Sequence, residues 1–96
     1  MSSGNHFVYI LRCKDETYYT GYARDINNRL KMHEEGKGAK YTRGRGPFTI
    51  VYEEEFLSKS EALKREYEIK TLSRREKHSL ITEQRGEQDG YSAKLP

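Results

Sequence analysis

His6-Phe7-Val8-Tyr9-Ile10-Leu11-Arg12, the polar turn Lys14-Asp15-Glu16-Thr17 and Tyr18-Tyr19-Thr20-Gly21-Tyr22 read as two strands and the loop between them. Both runs are rich in β-branched and aromatic residues, the types that fit a pleated, half-buried surface. Side chains alternate faces along a strand, so Tyr9 shares a face with Phe7 and Leu11, and Tyr19 shares one with Gly21. A loop of about five residues lets the strands pair as a hairpin, which would turn both phenols onto one surface. Gly21 marks either a close approach of backbone or ligand, or a simple strand end.

Working outward, Asp25 is a helix N-cap, and Ile26, Leu30 and His33 fall on one helical stripe behind it, with Arg29 on its flank. Gly36 and Gly38 end that helix. Gly36 to Pro47 is a glycine-rich, basic loop holding Tyr41 and Thr42. Thr49 to Phe56 reads as a third strand, and its run Glu53-Glu54-Glu55 suits an exposed or edge location. Ser58 with Glu61 makes a capping box for a second helix, whose expected inner face carries Ala62, Leu63, Glu66, Ile69 and Leu72. Ser73 with Glu76 makes another, for a short third helix ending at Leu80 and Ile81. From Thr82 onward the polar composition predicts a disordered tail, 82–96. The order β-β-α-β-α-α is that of an α+β domain, 5–81, with a three-stranded antiparallel sheet flanked by three helices.

Ninety-six residues fit one domain, and with 33% apolar and 34% charged residues the core must be small. No apolar run approaches the roughly 20 residues of a membrane helix. Met1-Ser2-Ser3-Gly4-Asn5 lacks the regions of a signal peptide, and the lone Cys13 can form neither an internal disulfide nor a multi-cysteine zinc site; a reducing cytoplasm is expected. The net charge of +3 is uneven. Arg24, Arg29, Lys31, Lys37, Lys40, Arg43 and Arg45 face only Asp25, Glu34 and Glu35 in one stretch. Such an excess points to a polyanion such as nucleic acid, or else to a solvated basic face.

Five residues stand out for chemistry. Glu66 is a carboxylate on a helix face expected to be buried, where it needs a partner. It either pairs with Lys70 four residues on or ligates a hard divalent cation, since magnesium often takes only one or two carboxylates and keeps several waters. Arg29 and His33, one turn apart, form a candidate phosphate-contacting pair: the guanidinium fork spans two phosphate oxygens and the imidazole relays a proton. Either could equally be an ordinary surface arginine and a packed histidine. Tyr9 and Tyr19 become bases only by losing their protons, which nearby cations favour; Arg24, Arg29 and a bound metal ion would provide that field. The loop Gly36 to Gly46 lacks the ending of a P-loop and reads as a flexible clamp, with Lys37, Lys40, Arg43 and Arg45 for phosphates and Tyr41 for stacking on a base.

Taken in order, these residues resemble the GIY-YIG nuclease superfamily. Phe7-Val8-Tyr9 resembles its first namesake motif and Tyr19-Thr20-Gly21 its second; Arg24, Arg29, His33 and Glu66, the last after Ala62-Leu63, match its basic, arginine, histidine and metal-binding glutamate positions. The resemblance spans Phe7 to Ile81. It implies a three-stranded antiparallel sheet with helices and a metal-assisted phosphodiester hydrolysis. Glu66 would hold Mg2+ or Mn2+. Tyr19 or Tyr9 would take a proton from water with help from His33. Arg29 would stabilise phosphate charge, and Arg24 would position substrate or lower a phenol pKa.

Phe7 stands where the family has glycine, Thr20 where it has isoleucine, and no asparagine follows Asn28. In ninety-six residues no separate DNA-recognition domain is expected. It looks most like the stand-alone bacterial members that share the Gly-Lys-Gly-Ala-Lys-Tyr-Thr-Arg loop. The expected activity is that of a divalent-metal-dependent DNA endonuclease, structure-selective and repair-linked, with a protein partner as a source of specificity. The competing readings are a non-catalytic nucleic-acid-binding module and a protein-interaction adaptor that uses the glutamate-rich strand and the tail.

Overall fold

The computed structural model describes residues 5–85. Along the chain lie β1 (His6–Arg12), β2 (Tyr18–Ala23), α1 (Ile26–Glu34), a single 3-10 turn at Lys40–Thr42, β3 (Thr49–Phe56), α2 (Lys59–Lys70) and α3 (Arg74–Arg85). The three strands form one antiparallel sheet in the order β2-β1-β3. This is the α+β order expected from the sequence.

β1 is central, and its run of apolar residues is the reason. Val8, Tyr9, Ile10 and Leu11 are all buried, as happens when both faces of a strand are covered. Val8 and Ile10 join Tyr52, Ala62, Ile69 and Ile81 in one core layer, on the face covered by α2 and α3. Tyr9 and Leu11 join Ala23 and Phe48 in a second layer, with Ile26 and Leu30 of α1 packed on it. In β3 the register slips by one residue opposite Ile10 and Leu11. This bulge turns Val51 and Tyr52 to the same core layer and sends Ile50 to the other. β3 is an edge strand, which suits its exposed Glu53 and Glu55.

The helix starts follow the capping chemistry. Asp25 accepts from the Asn28 N–H at 3.1 Å, and Gly36, at φ 79°, turns the chain out past the end of α1. Ser73 and Glu76 make both bonds of a capping box, at 2.8 and 3.1 Å. At α2 only the Ser58 half is recorded, accepting from the Glu61 N–H at 3.2 Å.

Two expectations need correction. Leu63 is 41% exposed and off the inner face of α2: next to the buried Ala62 it is rotated by about 100° around the helix, the angle set by 3.6 residues per turn. The third helix continues to Arg85 rather than ending at Ile81, so 82–85 are not tail; the remainder, 86–96, lies outside the described residues. Among the described residues no helix is long and apolar enough to cross a membrane.

Candidate active site

Tyr9 pairs with Gly21, and Leu11 with Tyr19, across the β1–β2 ladder. Tyr9 and Tyr19 thus occupy one face, with ring centroids 6.4 Å apart. The Tyr9 ring lies across Gly21. A Cβ built on Gly21 would meet the Tyr9 hydroxyl at 2.5 Å and its ring carbon Cζ at 2.7 Å, so only glycine leaves room for that ring. Gly21 is therefore a close-approach glycine, and what approaches is the phenol.

The hydroxyl of Tyr9 meets His33 Nε2 at 3.0 Å. The other ring nitrogen, Nδ1, meets Thr42 Oγ1 at 2.8 Å. Thr42 has one hydroxyl proton, and it donates that proton to the Ala39 carbonyl at 2.8 Å. His33 Nδ1–H must then be the donor to Thr42. The network assigns a neutral imidazole with its lone pair on Nε2, receiving the Tyr9 O–H. Burial first, and the Arg29 charge second, push the His33 pKa below the usual imidazole value, in accord with a neutral ring.

Electrostatics ties in the remaining groups. Tyr9 is pushed well above the ordinary phenol value, mainly by burial, then by Tyr19; Arg29 pulls it down and Glu66 pushes it up. The Arg29 guanidinium and the Glu66 carboxylate thus both act on the Tyr9 phenol. Arg29 alone, without a metal ion, does not outweigh the burial of Tyr9, so Tyr9 keeps its proton at neutral pH. Arg24 is not among the charges that shift it; its Nε donates to the Asn5 carbonyl at 2.9 Å.

Glu66 reaches this place from α2 with its side chain 16% exposed, and its Oε2 lies 3.0 Å from Lys70 Nζ. The helical pair is therefore present. Among the described residues no group of three or more His, Cys, Asp and Glu is gathered as a metal cage. Glu66 alone suits Mg2+ or Mn2+ only in the manner of a hard cation that keeps most of its waters and takes phosphate oxygens as further ligands. A single carboxylate oxygen donor, sharing its charge with one half-exposed ammonium, fits that role.

The glycine-rich loop buttresses the site. Gly38 packs its backbone on the His33 ring, leaving no space for a side chain. Thr42 is buried. Tyr41 stacks on Tyr19 at 6.0 Å and 21°, and the Arg45 guanidinium lies 4.4 Å over the Tyr41 ring. Arg45 is fixed in turn by Asp15 at 2.5 Å, so both residues assigned to substrate already have internal partners. Lys37 pairs with Glu35 at 3.8 Å, and Lys40 and Arg43 are exposed. Sequence reasoning missed the parts played by Thr42, Gly38 and Asp15. The one local signal was the Thr42 hydroxyl bonding three residues back, a common threonine habit that reveals nothing about His33.

The match to a known domain can be set on this geometry. The model of the GIY-YIG catalytic domain family matches residues 5–79. The chain belongs to the GIY-YIG family. This is a family of nuclease domains. The chain is similar to the UPF0213 protein OB0043 of Oceanobacillus iheyensis, 60% identical over 76 residues, covering 79% of this chain and 88% of that one. It is likewise similar to the UPF0213 protein BH0048 of Halalkalibacterium halodurans, 59% identical over 78 residues, covering 81% and 83%. The solution NMR structure of UPF0213 protein BH0048 from Bacillus halodurans superposes with a TM-score of 0.54 at 58% identity, over 80% of this chain and 82% of that one. That of EF2693 from E. faecalis gives 0.57 at 38% identity, over the same shares. These GIY-YIG relatives match most of their own length to this chain, as small single-domain members do.

Proposed function

We propose that this GIY-YIG protein is a divalent-metal-dependent endonuclease that hydrolyses DNA phosphodiester bonds, choosing substrates by structure and serving repair. The observation that carries the reading is the oriented chain Tyr9 O–H to His33 Nε2, with His33 Nδ1–H held by Thr42, at the place where Tyr9 senses Arg29 and Glu66.

Of the two phenols, Tyr9 has the acceptor a relay needs. The attacking water gives a proton to the Tyr9 oxygen as Tyr9 passes its own to His33 Nε2. The water oxygen bonds to phosphorus while the bond from phosphorus to the leaving oxygen breaks; the leaving oxygen takes a proton from solvent, and His33 returns its extra proton to solvent through Tyr9. A standing phenolate is unnecessary, which agrees with the raised pKa of Tyr9. Arg29 offers its planar set of N–H donors to the non-bridging oxygens as charge builds on them. Tyr19, edge-on to His33 at 5.3 Å, walls the site and holds the imidazole in place. Glu66 would hold Mg2+ or Mn2+, which supplies charge neutralisation at the phosphate and leaving oxygen. Arg24, Lys37, Lys40 and Arg43 provide long-range attraction for DNA. The cytoplasm is the compartment we assign, and a protein partner would add the specificity for which a single domain has little surface.

The Lys70–Glu66 pair favours a second reading, a nucleic-acid-binding module in which Glu66 is only structural. Incubation of purified wild type with duplex, single-stranded, nicked and branched DNA in Mg2+ or Mn2+ separates the two. Cleavage of one or more of them supports the endonuclease; binding to all with no product supports the module.

A further inference from the structure

A groove of about 220 Å3 opens between the end of the β1–β2 hairpin and the first turns of α3, lined by Thr17, Tyr18, Tyr41, Arg74 and Lys77. Among the described residues no carboxylate lines it; Asp15, which accepts from Thr17 at its rim, is paired with Arg45. The Arg74 guanidinium lies 4.6 Å over the Tyr18 ring, and the Tyr18 hydroxyl meets His78 Nδ1 at 3.2 Å. Among the described residues neither Arg74 nor Lys77 has an ion-pair partner.

Two links join this groove to the proposed catalytic place. Its wall residue Tyr41 stacks on Tyr19, whose ring neighbours both Tyr9 and His33. On the other side, Lys77 senses the charge of Lys70, which pairs with Glu66. Burial first and Lys70 second lower the Lys77 pKa.

We propose that this groove is the backbone-phosphate subsite for the DNA strand flanking the scissile bond, with Arg74 and Lys77 as its phosphate ligands. The proposal rests on the nuclease reading and adds the path of the strand to it. The cations that hold the flanking strand are then on α3 and not in the glycine-rich loop. Arg74 and Lys77 are three apart on one helix face, a spacing that brings both to one side. The aromatic walls hold their neighbours in place: the Tyr18 ring carries the Arg74 guanidinium and the Tyr41 ring is covered by Tyr19 and Arg45, so the groove offers its cations to phosphate rather than a ring face to a base.

The test uses full-length protein and a labelled single-stranded oligonucleotide in EDTA, so that binding is read without cleavage. Arg74→Gln/Lys77→Gln is compared with wild type and with Lys59→Gln/Lys64→Gln, which removes equal charge from another part of the surface. We expect the first double variant to bind about tenfold or more weakly, with the slope of log affinity against log salt shallower by roughly one to two, the share of two phosphate contacts. The control pair should change neither. Unchanged affinity and slope in the first variant, or an equal loss in the control, overturns the subsite. The outcome is independent of cleavage: an inactive wild type would refute the nuclease reading and leave this binding comparison decisive for the groove. With active wild type, the same variant should raise KM and leave kcat within about twofold, as loss of uniform binding does.

Discussion

Tyr9 and His33 share one proton position: the phenol oxygen lies 3.0 Å from Nε2, and Thr42, which can only accept from His33, keeps the proton of the imidazole on the far side of the ring. Three elements meet in this contact. β1 supplies the phenol, α1 the imidazole and the glycine-rich loop the hydroxyl that sets the tautomer. Each is held by something the sequence specifies locally, yet the contact depends on all three.

Removing the hydroxyl of Thr42 should therefore disturb His33 more than the fold. Thr42→Val leaves a buried Nδ1–H without an acceptor, a cost of about 1–3 kcal/mol. We expect cleavage to fall about tenfold or more, and Thr42→Ser to restore it. Nitrogen-15 shifts of His33 should report the Nδ1–H tautomer in wild type and in Thr42→Ser, and a mixture in Thr42→Val.

Gly21→Ala places a methyl where the Tyr9 ring now passes, at 2.5 Å from its hydroxyl. The ring must move, and with it the bond to His33. Overpacking of this kind costs about 1–3 kcal/mol of stability, read as a lowered denaturant midpoint. Activity should fall by about a hundredfold or more, because loss of a positioned proton acceptor costs that much.

The depressed pKa of His33 has a consequence for stability. Its folded form resists protonation below the ordinary imidazole value of about 6.5, mainly through burial. Between the folded and unfolded pKa values the unfolded chain binds more protons, so stability rises with pH through that window and is lost as pH falls through it. Above the unfolded value His33 contributes no slope. Denaturant midpoints measured from pH 7.5 to 5 should decline, and His33→Gln should flatten the His33 part of that decline.

Tyr41 acts here as a support for Tyr19 and not as a free stacking platform. Tyr41→Phe keeps the ring pair and should be near wild type. Tyr41→Ala removes a contact of about 0.5–1.5 kcal/mol beyond its area. It should lower kcat by up to about tenfold, in a single-turnover assay at saturating substrate.

The elements were legible because the local signals agree with the tertiary outcome: the strands His6–Arg12 and Thr49–Phe56, the Asp25 cap, the Ser73–Glu76 box. The shared face of Tyr9, Tyr19 and Gly21 follows from alternation and pairing alone. Leu63 was misplaced because one helical step separates a buried position from an exposed one, and adjacent apolar residues hide that step. The helix end at Arg85 was missed because polar residues continue a helix as readily as they leave it. Thr42 was illegible for a different reason. Its partner His33 lies nine residues away across a loop with no period, so nothing in the spacing marks the pair. The burial that raises the Tyr9 pKa was illegible too, because it depends on α1 and the loop closing over the sheet.

The central claim is that Glu66 supports metal-dependent hydrolysis beside Tyr9. The most direct measurement is a time course of DNA cleavage in Mg2+ and Mn2+ by wild type and Glu66→Gln purified in parallel, with circular dichroism to compare the folds. The account predicts product from wild type, none with EDTA, and a loss on the order of a thousandfold or more in the variant, the equivalent of several kcal/mol of metal-derived stabilisation, with unchanged spectra. Equal rates for the two proteins would contradict it.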